Sequence, residues 1–153
     1  MFRYAFPYCQ EIFTLSLCLK CSIVKTRTHL CMPKKTILIV DDDELLCDVL
    51  AEFFESQYTV FCASNGQDAQ RIYQEQRGGI DLVLTDWNMP KLNGIELTKW
   101  LVNTAPALPV LLMTGNAKTG ELDVFQNNNQ VYVMNKPFEF DELAKAVADY
   151  IGT

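Results

Sequence analysis

The chain has 153 residues, 49% hydrophobic and 21% charged, enough for one globular domain with a sizeable core and too few for a second. Its formal charge of -6 is uneven: Arg3, Lys20, Lys25 and Arg27 against Glu11 make the first 31 residues +3, so the remainder carries -9. That acidic body argues against nucleic acid as a direct partner.

The leading segment resists assignment to a structured element. Its longest charge-free stretch, Ile12–Leu19, has eight residues, against roughly 18 for a bilayer span. Arg3 and that run meet the requirements of a signal peptide only weakly, and no small-x-small cleavage site follows. Neither a membrane nor an exported destination is indicated, and a cytoplasmic location is expected. Cys18, Cys21, His29 and Cys31 could supply four zinc ligands, but they lack the paired spacings of zinc modules and read as incidental. Met32-Pro-Lys-Lys-Thr looks like a natural beginning. Residues 1–31 are therefore expected to be an upstream over-extension or unpacked tail, with a partner-binding or membrane-surface segment as the rival reading, and residues 32–153 the folded domain. Cys47 and Cys62 fall at apolar-patterned positions of that domain, where a free thiol behaves as a small hydrophobe.

From Lys35 onward, strands and helices alternate. Ile37–Val40, Tyr58–Ala63, Leu82–Thr85, Val110–Thr114 and Val131–Met134 are short apolar runs rich in aliphatic residues, the signature of buried strands. Four helical stretches lie between them and a fifth closes the chain. In the first, Leu45, Leu46, Val49, Leu50, Phe53 and Phe54 are expected to form one wide apolar stripe, with Glu44, Asp48, Glu52 and Glu55 facing water. The closing helix repeats the pattern with Leu143, Ala144, Val147, Ala148 and Ile151. Ser64-Asn65-Gly66, Arg77-Gly78-Gly79 and Pro106–Pro109 mark connections. This alternation predicts an α/β fold: a doubly wound, five-stranded parallel sheet with right-handed crossovers and helices on both faces.

Parallel strands bring their carboxyl ends to one edge, where open α/β sheets hold ligands. Asp41 and Asp42 follow the first strand, Asp86 the third, Thr114 ends the fourth and Lys136 follows the fifth. Three carboxylates held close repel unless cations compensate. Magnesium with Lys136 balances their charge, and a few protein oxygens completed by water and phosphate is magnesium's usual arrangement. Asp43 reads instead as a helix N-cap, and Trp87 as a partly exposed neighbour.

Val40-Asp41-Asp42, Asp86-Trp87-Asn88-Met89-Pro90 with Gly94 and Glu96-Leu97, Met113-Thr114-Gly115 and Lys136-Pro137-Phe138 together resemble the receiver domain of two-component response regulators, in the style of the single-domain chemotaxis regulator. The likeness spans about residues 35–152, in the family's order, and implies the flavodoxin-like receiver fold. It implies that Asp86 accepts a phosphoryl group from a histidine kinase or histidine phosphotransfer protein. It further implies that Asp42 and Asp86 bind Mg2+ through side chains, Asn88 through its backbone carbonyl, and Asp41 through a water. Thr114 and Lys136 would contact the phosphoryl oxygens, the Lys136-Pro137 bond would be cis, and Gly115 would leave room for the donor. A downstream target protein would read the result on the face formed by the helix after the fourth strand, the fifth strand and the closing helix. No separate substrate is implied: such a domain catalyses its own phosphorylation and dephosphorylation.

Two positions depart from the family pattern. Val133 stands where a switch aromatic is usual, three residues before Lys136, with Tyr132 one earlier. Asn127-Asn128-Asn129-Gln130 replaces a turn of small residues before the fifth strand. The alternatives are a magnesium-dependent phosphohydrolase with an aspartyl nucleophile, which would want a second acid where Asn88 stands, and a phosphate relay or sink that does not switch.

Overall fold

The computed structural model describes residues 34–76, 78–115, 125 and 128–152. The chain divides into two units, Met1–Cys31 and Met32–Thr153; the described residues all belong to the second, and the reading of residues 1–31 lies outside them.

The elements run β1 (Thr36–Val40), α1 (Glu44–Phe54), β2 (Thr59–Ala63), α2 (Gly66–Glu75), β3 (Leu82–Asp86), α3 (Gly94–Thr104), β4 (Val110–Thr114), β5 (Val131–Asn135) and α4 (Phe140–Ile151). The helix expected between β4 and β5 falls outside the described residues. All four strand pairings are parallel, as the alternating pattern predicts, and the strands lie in the order β2-β1-β3-β4-β5. β1, β3 and β4 are central and read as continuous apolar runs because both faces are covered. Ile37, Ile39, Leu82, Leu84, Leu111 and Met113 pack with α1 and α4, whereas Leu38, Val40, Val83 and Val110 pack with α2 and α3. Period-two alternation along each strand therefore divides the core into two layers.

Helix starts are fixed locally. Asp43 caps α1 by accepting from the N–H groups of Leu45 and Leu46 at 3.0 and 3.3 Å, so the third acid of the triplet serves the helix, as expected. Asn65 caps α2 by accepting from Gln67 and Asp68. Asn93 and Glu96 form a reciprocal capping box on α3, in which each side chain satisfies a backbone donor that the first helical turn leaves unpaired.

The expected stripe of α1 requires correction. Cys47, Leu50 and Phe54 face the core, but Leu45, Val49 and Phe53 are 77%, 48% and 38% exposed. Residues spaced by three and four from Cys47 share its face; Leu45, Val49 and Phe53 form a separate row on the helix shoulder. Two sheet strands cannot cover a stripe that wide. Phe53 instead rests against Phe140 from the start of α4, ring centroids 5.2 Å apart. In α4 the inner face is Leu143, Val147 and Ile151, with Ala144 and Ala148 half-buried.

Candidate functional site

The carboxyl edge of the sheet collects the predicted residues from four strands. Register places Val40 beside Thr85, Asp86 beside Met113 and Thr114 beside Asn135, so Asp41, Asp86, Thr114 and Lys136 emerge at neighbouring points of one edge. Lys136 Nζ lies 2.9 Å from Asp41 Oδ2 and 2.6 Å from Asp86 Oδ1. Residues 95 positions apart thus share an ion-pair cluster.

Each carboxylate is also held from its own loop. Asp41 Oδ1 accepts from the Asp43 N–H at 2.9 Å, and Asp86 Oδ2 from the Asn88 N–H at 2.7 Å. These contacts keep both charges hydrogen-bonded although Asp41 is only 3% and Asp86 8% exposed, which is the condition for burying an ionised group. Burial works hardest on the Lys136 ammonium and against its charge, but the hydrogen bonds and charges of Asp86 and Asp41 outweigh it and hold the pKa above the ordinary lysine value. Thr114 is fully buried at the end of β4, and its carbonyl accepts the Lys136 N–H at 2.7 Å. The Lys136-Pro137 bond is cis, as the resemblance implies.

Other predicted residues stand apart from this cluster. Asp42 and Asn88 are exposed, and Asp42 makes no hydrogen bond or ion pair among the described residues. Among those residues no three acid, cysteine or histidine side chains are grouped closely enough to hold a metal ion. The donor chemistry nevertheless suits a hard cation. Asp41, Asp42 and Asp86 supply three negative charges against one ammonium, all ligating atoms are oxygen, and magnesium needs only one or two carboxylates beside waters.

Trp87 is buried rather than partly exposed: it packs with Leu112, Phe125 and Val131. Tyr132 projects to the α4 side, stacked on Tyr150 at 3.4 Å, with its hydroxyl donating to the Asn129 carbonyl at 2.7 Å.

Sequence reasoning quoted Gly94 only as part of a motif. Its position is set by contact: a Cβ there would stand 2.0 Å from the Asp86 carbonyl oxygen, and its N–H donates to the Trp87 carbonyl. A side chain at the start of α3 would therefore push the loop bearing Asp86. Gly115 is the opposite case: among the described residues nothing lies within 4 Å of an added Cβ. Cys47, placed in the sequence only as a small hydrophobe, also reaches the site's backbone, its Sγ lying 3.6 Å from the Asp41 carbonyl oxygen.

A family model described as the response regulator receiver domain matches residues 37–148. The chain belongs to the response regulator receiver family. This receiver is 36% identical over 124 residues to the sporulation initiation phosphotransferase F of Bacillus subtilis (strain 168), covering 78% of this chain and 96% of that one. It is 29% identical over 124 residues to the polar-differentiation response regulator DivK of Brucella anthropi, covering 79% and 98% of the two chains. In fold it is similar to the Vibrio cholerae chemotaxis protein CheY4, with a TM-score of 0.68, 22% identity and coverage of 76% and 98%. Two-component signalling is thus the setting of this receiver. Among the described residues no helix is long and apolar enough to cross a membrane.

Proposed function

We propose that Asp86 accepts a phosphoryl group from a phosphohistidine on a histidine kinase or phosphotransfer protein, and that the resulting acyl phosphate alters binding of a downstream protein. The observation that carries this reading is the clamp on Asp86: one oxygen is fixed by the Asn88 N–H, the other faces Lys136. In-line transfer demands a positioned nucleophilic oxygen and compensation of charge on the transferring group more than covalent machinery. The Asp86 oxygen forms the new O–P bond as the donor's N–P bond breaks, and the imidazole leaves with that electron pair. Lys136 meets the charge on the phosphoryl oxygens, and Thr114, next in the sheet edge, would offer its hydroxyl. Asp42 and Asp86 side chains and the Asn88 carbonyl would hold Mg2+, with Asp41 acting through water; the ion supplies further charge neutralisation. Loss of the group is hydrolysis of the acyl bond within the same site, with no separate substrate.

A macromolecular donor needs a docking surface beside Asp86. The exposed row Leu45, Val49 and Phe53, joined by Phe140, starts two residues after Asp43 and fits an apolar helical face on the donor. Glu44, Asp48 and Glu52 flank that row and favour basic residues on the partner.

A relay role without switching is the second reading. It is favoured by β5: Val133 lies outward at 41% exposure, and Tyr132 is held by Tyr150 and Asn129 on the opposite face. No aromatic there is free to rotate toward Thr114. The phosphohydrolase alternative lacks its second acid, since Asn88 occupies that position.

Incubation with acetyl phosphate and magnesium tests the acceptor by intact-mass spectrometry. One phosphoryl group should add to the wild type and none to Asp86→Asn, whose amide is nearly isosteric but cannot form an acyl phosphate. An equal mass gain in both proteins refutes the assignment. Equal partner affinity with and without phosphorylation selects the relay.

A further inference from the structure

The two cysteines of the folded domain come together at a place the phosphoryl chemistry does not use. Cys47 is buried on the inner face of α1 and Cys62 is exposed on β2, the strand at one end of the sheet. Both line a cavity of about 300 Å³ with Asp41, Glu44, Asp48, Ala63 and Ser64. Cys62 Sγ lies 3.8 Å from the Cys47 carbonyl oxygen. One thiol is reachable from solvent, and the second stands behind it, within reach.

We propose that Cys47 and Cys62 form a dithiol modification site that hydroperoxides oxidise to an intrachain disulfide joining α1 to β2. Cys62 is the attacking group, being the exposed member. The neighbouring Cys47 side chain lowers its pKa, against the opposing influences of burial and the Asp48 charge, and thiolate character with exposure selects the cysteine that oxidises. Cys62 sulfur attacks the peroxide oxygen, the O–O bond breaks, and the departing alkoxide or hydroxide takes a proton to leave as alcohol or water. The product is a sulfenic acid on Cys62. The Cys47 sulfur then attacks the Cys62 sulfur, forming the S–S bond and releasing water. In total two thiols and one hydroperoxide give one disulfide, one alcohol or water, and one further water. Both side chains line one cavity, within which the sulfurs must close to the bonded distance of about 2 Å.

The bond would not be neutral for the acid cluster. The Cys47 thiol faces the Asp41 carbonyl at 3.6 Å, so the disulfide removes a donor from that carbonyl and ties the first turns of α1 to the strand beside it.

The test uses the full chain with Cys9, Cys18, Cys21 and Cys31 replaced by serine. After treatment with a small excess of hydrogen peroxide, cleavage following Glu52 or Glu55 separates the two remaining cysteines, and mass spectrometry reads whether they are linked. A linked Cys47–Cys62 peptide that dithiothreitol releases is expected. Cys62→Ser should leave Cys47 reduced, and Cys47→Ala should slow Cys62 oxidation several-fold and stop it at oxyacids. Cys62 passing to sulfinic acid without linkage, or both thiols staying reduced, overturns the proposal. Amide exchange across residues 41–50 should differ between reduced and linked protein; identical exchange overturns the connection to Asp41. Neither readout depends on magnesium or on Asp86.

Discussion

Replacing Gly94 by alanine sets two physical effects against each other. Gly94 opens α3, and alanine is the better helix former by up to about 1 kcal/mol. The added Cβ, however, would meet the Asp86 carbonyl oxygen at 2.0 Å, its carbonyl carbon at 3.0 Å and Leu112 Cδ1 at 3.1 Å. The first neighbour is backbone and cannot swing aside, so α3 and the Asp86 loop must separate by about 1 Å before the oxygen reaches 3.0 Å, still an unusually close approach. That movement strains the Gly94 N–H to Trp87 carbonyl bond, 3.1 Å long, worth about 1 kcal/mol, and overpacking adds roughly 1–3 kcal/mol. Packing therefore wins by about 2 kcal/mol, which for a domain of this size lowers Tm by roughly 8 °C. Urea and thermal unfolding measure the loss, and phosphoryl uptake from acetyl phosphate should fall with it because Asp86 moves. Gly115→Ala is the control: its Cβ meets nothing within 4 Å among the described residues, and stability should stay within about 0.5 kcal/mol. A Gly94→Ala protein as stable as wild type, or more so, would refute the contact argument.

Three further outcomes are expected. Lys136→Met removes the ammonium between Asp41 and Asp86; since Lys136 is only partly buried, the loss should be roughly 1–3 kcal/mol, below the full penalty for breaking a buried pair, and magnesium should restore part of it, so a urea midpoint unmoved in either condition would contradict the charge balance. Val49→Asp should cut phosphoryl transfer from a phosphohistidine protein at least tenfold while leaving uptake from acetyl phosphate unchanged; equal effects on both donors would remove the α1 row as a docking surface. Asp42→Ala should weaken the fluorescence response of buried Trp87 to magnesium, and identical titrations would take Asp42 out of the metal site.

The parallel five-stranded sheet and the two helical layers were legible in the sequence because each depends on periodicity and alternation, which five apolar runs declared without ambiguity. The pairing of Lys136 with Asp41 and Asp86 followed from topology once the strands were parallel. The burial of α1 was not legible: Leu45, Val49 and Phe53 are as apolar as Leu50 and Phe54, and only the width of the sheet beneath the helix decides which of them it can cover. Trp87 was misplaced for a related reason, since its cover comes from Leu112, Phe125 and Val131, which lie 25 to 44 positions downstream. The work of Gly94 was hidden because a glycine leaves no pattern; its neighbour Asp86 is eight residues away and is brought close by a loop. Cys47 and Cys62 looked like isolated small hydrophobes until register placed β2 beside β1 and under α1.

The span of 95 residues between Asp41 and Lys136 bears on how the molecule assembles. β5 occupies an end of the sheet and pairs with β4 alone, so a chain that has formed β1 to β4 without it already holds Asp41 and Asp86 but not their counter-ion. Such a partly formed sheet carries like charges at one edge and lacks a contact of long sequence separation, the kind that slows folding. Docking of the final strand supplies a pairing partner to β4 and a cation to the acids in the same event. Completion of the sheet thus coincides with completion of the ion-pair cluster, and in a nascent or locally opened molecule the proposed acceptor Asp86 would lack its ammonium until the last strand is home.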